Sequence, residues 1–188
     1  FTTVLVSYPV ALSQWPNAND ALTGATLLTE FRYREGLTTA EFLSQVDSRW
    51  RAHLWIAAAF SLGGFALIAW KIIHWRVPAA VVLGLARAAV VGYDQGSSIS
   101  SGGLVFHIVC GGTVAAMFFV ATDPVTMPED RRYQWLFGII IGVSIYAIRT
   151  WGAYPDGIAF AILLSNCLVP LFDRLARHHG NALKRRVT

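Results

Sequence analysis

Apolar residues in this chain fall into long blocks divided by short polar breaks. Residues 52–70, 77–93, 103–121, 134–150 and 157–172 are apolar runs that each approach the roughly 20 residues a helix needs to cross a bilayer. Another run, Phe1 to Val10, reads as the end of a further span. The pattern predicts an all-α, polytopic membrane helical bundle over residues 52–172, with about five full transmembrane helices plus the end of another. Lys71 and His74-Trp75-Arg76 close the first full run as snorkelling cations beside an interfacial aromatic. Pro78 opens the second at an early helical position, where proline is tolerated. The third is Gly-rich (Gly102, Gly103, Gly111, Gly112) and is expected to be a broken helix, a form tolerated in membranes where it lines a cavity or a bound group. The fifth follows Tyr154-Pro155-Asp156-Gly157 and is expected to end at Pro170 and Asp173.

The segment 14–51 is different. It is polar, with Asp20, Glu30, Glu35, Glu41 and Asp47 against four arginines. Thr38-Thr39-Ala40-Glu41 matches a capping box and predicts a helix starting near Thr39. Phe42, Leu43, Val46 and Trp50 then recur at helical spacing, which suits a short helix lying at the membrane surface.

Composition agrees with the pattern: 55% of the 188 residues are hydrophobic and only 14% are charged, with a mean hydropathy of +0.49. A soluble domain carries roughly 25% charged residues. The net charge of +4 does not point to nucleic acid, because the basic residues cluster at the ends of apolar runs, where membrane lipid and topology account for them. Lys71, Arg76, Arg131, Arg132, Arg174, Arg177, Lys184, Arg185 and Arg186 all fall on one side of the predicted bundle, while the opposite loops 94–101 and 151–156 carry no Lys or Arg. The positive-inside rule then makes 173–188 a cytoplasmic basic tail and turns 14–51 outward. Cys110 and Cys167 each sit within an apolar run and read as small buried apolar residues; with no CxxC, neither an iron–sulfur cluster nor a zinc site is expected from this chain alone. The opening at Phe1, within an apolar run, suggests the C-terminal half of a larger membrane domain.

Few residues carry candidate chemistry. Thr23-Gly24-Ala25-Thr26 presents an uncrowded hydroxyl just beyond a span; it is either a helix N-cap or a point of attachment for a phosphate-bearing group. Arg87 lies within a span and either snorkels, pairs with Asp94 or Asp123, or lines an ion path. Arg149 and Asp156 flank an outward loop, as a salt bridge or with Arg149 facing an anionic ligand. His107 is expected to be hydrogen-bonded to a neighbouring helix rather than to bind metal. Asp123 and Asn166, polar groups at or within span ends, could serve an ion pathway or structure. No Ser-His-Asp arrangement, phosphate-binding glycine loop or dinucleotide fingerprint is present, so hydrolytic or nicotinamide chemistry by this chain alone is not expected.

Three co-linear segments, Asp20–Thr26, Phe118–Thr126 and Tyr154–Asn166, resemble the RnfD (RsxD) family, the D subunits of Rnf ion-translocating electron transport complexes. The B subunit of the sodium-pumping NADH:quinone reductase shares the pattern. The resemblance implies that Thr26 is esterified to the phosphate of FMN by a flavin transferase, with Thr23, Gly24 and Ala25 completing the recognised motif. It implies a multi-pass protein of the bacterial inner membrane, with Thr26 on the periplasmic side and the C-terminus in the cytoplasm. Its partners would be the A, B, C, E and G subunits, and electron transfer of ferredoxin/NAD type would be coupled to translocation of Na⁺ or H⁺. A second, non-covalent flavin is left open. Arg149 is a candidate for stabilising the FMN phosphate or the reduced flavin. The competing readings are a small-solute channel or transporter without redox function, and a purely structural subunit.

Overall fold

A computed structural model of the chain describes residues 26–34, 36–92, 97, 100–152 and 156–187, with side chains through residue 178. Among these residues all regular structure is helical. The apolar run 1–10, Thr23, Gly24, Ala25, Asp94 and the Tyr154-Pro155 dipeptide lie outside them.

Two short helices come first. Helix α1, Leu27–Arg32, is capped by Thr26, whose side chain accepts from the Thr29 amide. Helix α2, Thr39–Gln45, begins with the expected capping box: the Thr38 hydroxyl accepts from the Glu41 amide, and the Glu41 carboxylate accepts from the Thr38 amide at 2.9 Å. Phe42 and Val46 are buried and Leu43 and Trp50 half-buried, so the apolar stripe faces inward as its spacing predicts. Trp50 belongs to the next helix, however, because α2 stops at Gln45 and α3 starts at Asp47.

Helix α3, Asp47–Ala69, starts five residues before the apolar run that predicts it. The backbone ladder needs no apolar side chain in its first turn, and Arg49 and Arg51 remain exposed there. This helix is apolar all round, and only Gly64 is buried. A helix apolar on every face with so little of its surface covered has the pattern of a membrane span. Its main contact is aromatic: Phe60 meets Phe119 and Phe65 meets Phe118 edge-on, at 5.9 and 5.5 Å between ring centroids.

Helix α4, Arg76–Gly92, lies along α7, Arg131–Trp151, and this pair forms the centre of the bundle. Small residues allow the approach. A Cβ on Gly142 would stand 2.3 Å from the Val81 carbonyl oxygen, and one on Gly138 would stand 2.5 Å from the Ala80 Cβ. Gly138 and Gly142 form a GxxxG step, the spacing that brings membrane helices into backbone contact. Asp130 caps α7 by accepting from the Arg132 amide at 2.7 Å.

Between α4 and α7 the chain forms α5, Leu104–Val109, a 3₁₀ turn Cys110–Gly112, and α6, Thr113–Ala115, which continues as a π-helical turn Ala116–Val120. Gly111 and Gly112 have φ of +70° and +71°, values that glycine adopts without the Cβ penalty.

Helix α8, Ile158–Val187, packs on α7 and runs past the expected stop at Pro170. Proline removes one amide and displaces the carbonyl four residues earlier, but membrane helices accommodate this. The basic segment after 172 therefore continues the same helix. Phe160, Leu163, Leu164, Cys167 and Leu171 form an outward stripe on it. Cys167 is thus exposed, against the expectation of burial, because its register places it on the outer face; Cys110 is buried as expected.

Among the described residues, three helices, Asp47–Ala69, Arg131–Trp151 and Ile158–His178, are long and apolar enough to cross a membrane. The other apolar helical stretches, α4 and the interrupted Leu104–Val120 segment, are shorter.

Candidate functional site

Thr26, Gly111, Arg149 and Asp156 converge at one end of the bundle, from four separate segments of the chain. Thr26 is exposed. Its Oγ1 lies 2.9 Å from the Thr29 hydroxyl and accepts from the Thr29 amide at 3.3 Å. The N-cap reading of this residue is therefore correct, and a capping oxygen at the surface remains accessible to other chemistry. The bidentate pair between Arg49 and Glu30, at 2.6 and 2.8 Å, ties α1 to α3. Beneath α1, Phe31 packs on Phe106 at 4.2 Å and edge-on against Phe42 at 5.3 Å, which fixes the position of the helix that presents Thr26.

Thr26 stands at the mouth of a cavity of about 220 Å³ walled by apolar groups from α1, α3 and α6, including Ile56, Phe60 and Val114, with His53 and Asp156 as polar members. Gly112 also lines it, and a Cβ there would meet nothing within 4 Å.

Arg149 is buried, and its two Nη groups are held by two backbone carbonyls and by side-chain acceptors. Nη1 donates to the His107 carbonyl at 2.7 Å; Nη2 donates to the Cys110 carbonyl at 3.2 Å and to the Thr113 hydroxyl oxygen at 2.9 Å. The Thr113 hydroxyl in turn lies 2.6 Å from the His107 carbonyl. The guanidinium thus satisfies carbonyls that the interruption at Gly111 leaves without helical partners. The salt bridge to Asp156 exists but is long, at 3.4 Å, and Asp156 is half exposed. Gly111 fits tightly against this clamp, since a Cβ there would be 2.5 Å from Arg149 Nη2 and 2.5 Å from Leu28 Cδ1.

On the other side of Arg149 is a second cavity of about 190 Å³, between α1 and the ends of α5 and α7. Arg34 anchors the loop beside it. Its guanidinium lies 3.7 Å from the Phe31 ring centroid and donates to the carbonyls of Leu37 at 3.0 Å, Phe31 at 3.2 Å and Ser100. Burial lowers the pKa of Arg34 from its usual value, but a guanidinium stays protonated at any physiological pH.

Other expected residues fall elsewhere. His107 Nε2 donates to the carbonyl of Ser101, in the loop before its own helix, at 3.0 Å. The expected partner on a neighbouring helix is replaced by ring contact with Tyr146 of α7, at 5.1 Å. Asp123 lies before the start of α7, whereas Arg149 lies near its other end, about 27 Å along the helix from Arg131 at 1.5 Å per residue. It serves a turn, accepting from the Val125 amide and the Thr126 hydroxyl, both at 3.2 Å. Asn166 sits in mid-α8, one turn before Pro170, and its Oδ1 has no partner among the described residues. Arg87 is exposed and forms no ion pair with Asp123, while Asp94, the other expected partner, lies outside the described residues. Thr113 and Arg34 were not evident from the sequence. A hydroxyl after paired glycines could have suggested the first; nothing local distinguishes Arg34 from the other arginines of its polar segment.

The chain is similar to proteins named as the D subunits of ion-translocating oxidoreductase complexes. It is 34% identical to that of Cellvibrio japonicus, aligned over 100% of this chain and 62% of the relative. It is 38% identical to that of Aeromonas salmonicida, over 89% of this chain and 49% of the relative. It is 35% identical to that of Vibrio cholerae, over 87% of this chain and 48% of the relative. The chain thus spans about half to three-fifths of the length of these relatives. A family model matches residues 1–180. With the helical membrane architecture above, this shows that the chain belongs to the NQR2, RnfD, RnfE family.

Proposed function

We propose that this chain is the flavin-bearing part of a membrane subunit in an Rnf-type complex, with FMN joined through its phosphate to Thr26 Oγ1. The observation that carries the reading is the exposed Thr26 hydroxyl at the mouth of an apolar cavity, within a Thr-Gly-Ala-Thr sequence. The residues present suit such a group. Ile56, Phe60 and Val114 offer a dry wall for a planar ring, and an ester oxygen at Thr26 can still accept from the Thr29 amide. At about 220 Å³ the cavity is below the roughly 300–1,000 Å³ of a site that encloses a whole ligand, so only part of the group would be enclosed.

A bound flavin supplies one- and two-electron chemistry that side chains lack. This chain contributes position: Thr26 tethers, the aromatic cluster beneath α1 holds the tether steady, and the Arg149 clamp fixes the Gly111–Gly112 wall of the cavity. Arg149 acts on the group through that wall, its Nη donors being turned onto carbonyls.

The full assembly would have about five spans in this part of the subunit. Thr26 would face the periplasm and the tail the cytoplasm of a bacterium with an inner membrane. The other complex subunits would exchange electrons with the flavin while Na⁺ or H⁺ crosses. A flavin transferase would make the ester.

Two substitutions separate capping from attachment. Asn caps a helix about as well as Thr but has no hydroxyl. Both Thr26→Ala and Thr26→Asn should insert normally and lose covalent flavin fluorescence in a denaturing gel. Fluorescence persisting in either band would refute attachment at Thr26.

A further inference from the structure

Helix α3 ends at Ala69, α4 begins at Arg76 and α7 begins at Arg131, so these termini share the end of the bundle opposite Thr26. Trp75 and Trp135 meet there edge-on, with ring centroids 5.7 Å apart. Lys71 and Arg76 flank Trp75 in the chain, and Arg131 and Arg132 stand one turn before Trp135 on its side of α7. Lys71, Arg131 and Arg132 are exposed and Arg76 is half-buried. None of the four forms an ion pair among the described residues. The described acids of this end have other uses. Asp130 accepts from the Arg132 amide at 2.7 Å, Asp173 accepts from the Glu129 amide at 3.3 Å, and Asp123 holds its own turn. Glu129, Asp130 and Asp173 border a space between the start of α7 and α8, together with Arg177.

Lys71 stands where a helix ending favours glycine. The Ile72 amide donates to the Leu67 carbonyl at 3.0 Å and the Lys71 amide to that of Ile68 at 2.9 Å, a Schellman ending with Lys71 at φ +59°. Glycine takes that conformation without a Cβ penalty, whereas lysine carries the strain. Next to the cations the surface turns apolar. Leu136, Ile139 and Val143 continue from Arg132 as an exposed stripe along α7, and Trp70 and Ile72 are exposed on either side of Lys71. The corner thus offers positive charge to a phosphate, indoles to the membrane interface and an aliphatic track to hydrocarbon. An acidic protein segment matches the first of these alone; a phospholipid matches all three.

We propose that the Trp75–Trp135 corner binds an anionic phospholipid. Its headgroup is held by the cations of the α3–α4 connection and of the α7 start, and an acyl chain lies along Leu136, Ile139 and Val143.

The test uses the assembled complex containing the complete subunit, purified in detergent and titrated separately with phosphatidylglycerol and phosphatidylethanolamine of matched chains. Native mass spectrometry counts the lipid retained, and comparison with variants isolates this corner from lipid held elsewhere. Lys71→Gln and Arg132→Gln should each weaken one phosphatidylglycerol site by about fivefold and leave phosphatidylethanolamine retention unchanged. Arg87→Gln, which removes an exposed cation further along α4, should retain phosphatidylglycerol as the wild type does. The two corner variants lie on separate segments, so either carries the test if the other fails to fold. The proposal is overturned if the corner variants bind phosphatidylglycerol like the wild type, or if Arg87→Gln loses as much. It is also overturned if phosphatidylethanolamine fills the site equally well, since chains alone would then suffice. Release of a partner subunit from the corner variants, with lipid retention unchanged, would show a protein-docking surface instead. None of these outcomes bears on attachment at Thr26.

Discussion

Arg149 Nη1 donates to the carbonyl oxygen of His107 at 2.7 Å, joining two residues 42 positions apart. This contact and its neighbours at Cys110 and Thr113 hold the turn at Gly111 against the end of α7. Arg149→Gln should destabilise the subunit by roughly 3 kcal/mol, the scale for removing one partner from a buried charged network. Arg149→Lys should not rescue it, because an ammonium cannot reproduce the planar fork. Thermal stability in detergent checks both. Wild-type stability in Arg149→Gln would show that the clamp is incidental.

The paired glycines allow a finer test. Gly111 and Gly112 share nearly the same positive φ, but only Gly111 is enclosed. Gly112→Ala should cost about 1–2 kcal/mol, from left-handed backbone alone. Gly111→Ala should cost more, because its Cβ also meets Arg149 and Leu28. Equal losses in the two variants would contradict this account of the turn.

The α4–α7 seam makes a third prediction. At Gly142 an added methyl meets the backbone of Val81, which cannot rotate away. Gly142→Ala should lower stability by roughly 1–3 kcal/mol, the usual range for overpacking. Gly36→Ala is a weak comparator despite its space, since its φ is also positive. Ser48→Ala, exposed on α3, is the better control and should change little.

The capping box at α2 should show a pH dependence of known sign. Hydrogen bonds from the Thr38 backbone and then its side chain hold the Glu41 carboxyl below its usual pKa. Its contribution is therefore complete above the unfolded value of about 4.3 and is lost as pH falls through the lower folded value. Thr38→Ala should be about 1 kcal/mol less stable near neutral pH. The gap from wild type should narrow only on acidification below about pH 4. A gap that widened with acid would reverse the assignment.

The sequence was most legible where one local rule decides. The Thr38–Glu41 box and the Phe42/Val46 stripe need only neighbouring residues, and both are present in the structure. The apolar blocks located the long helices among the described residues but misplaced ends: α3 starts early and α8 continues through Pro170, because a helical ladder depends on backbone bonds rather than on side-chain polarity. The pairing of Arg149 with Asp156, seven residues apart, was one of two readings left open by their positions, and the ion pair is present at 3.4 Å. What it missed depends on distant contacts. The commitment of Arg149 to the carbonyls of His107 and Cys110, the ring contact of His107 with Tyr146 and the outward register of Cys167 all follow from how helices pack, which no local spacing encodes. The Gly138–Gly142 step was readable in principle, although its partner, the Val81 face of α4, was not.

Everything functional turns on whether a redox group is bonded to one surface oxygen. Mass spectrometry of the peptide containing Thr26, from the subunit purified within its assembled complex, tests this most directly. The account predicts a peptide heavier by one phosphoester-linked FMN, with fragmentation placing the added mass on Thr26. An unmodified peptide from the assembled complex, or an FMN adduct on another residue, would contradict it.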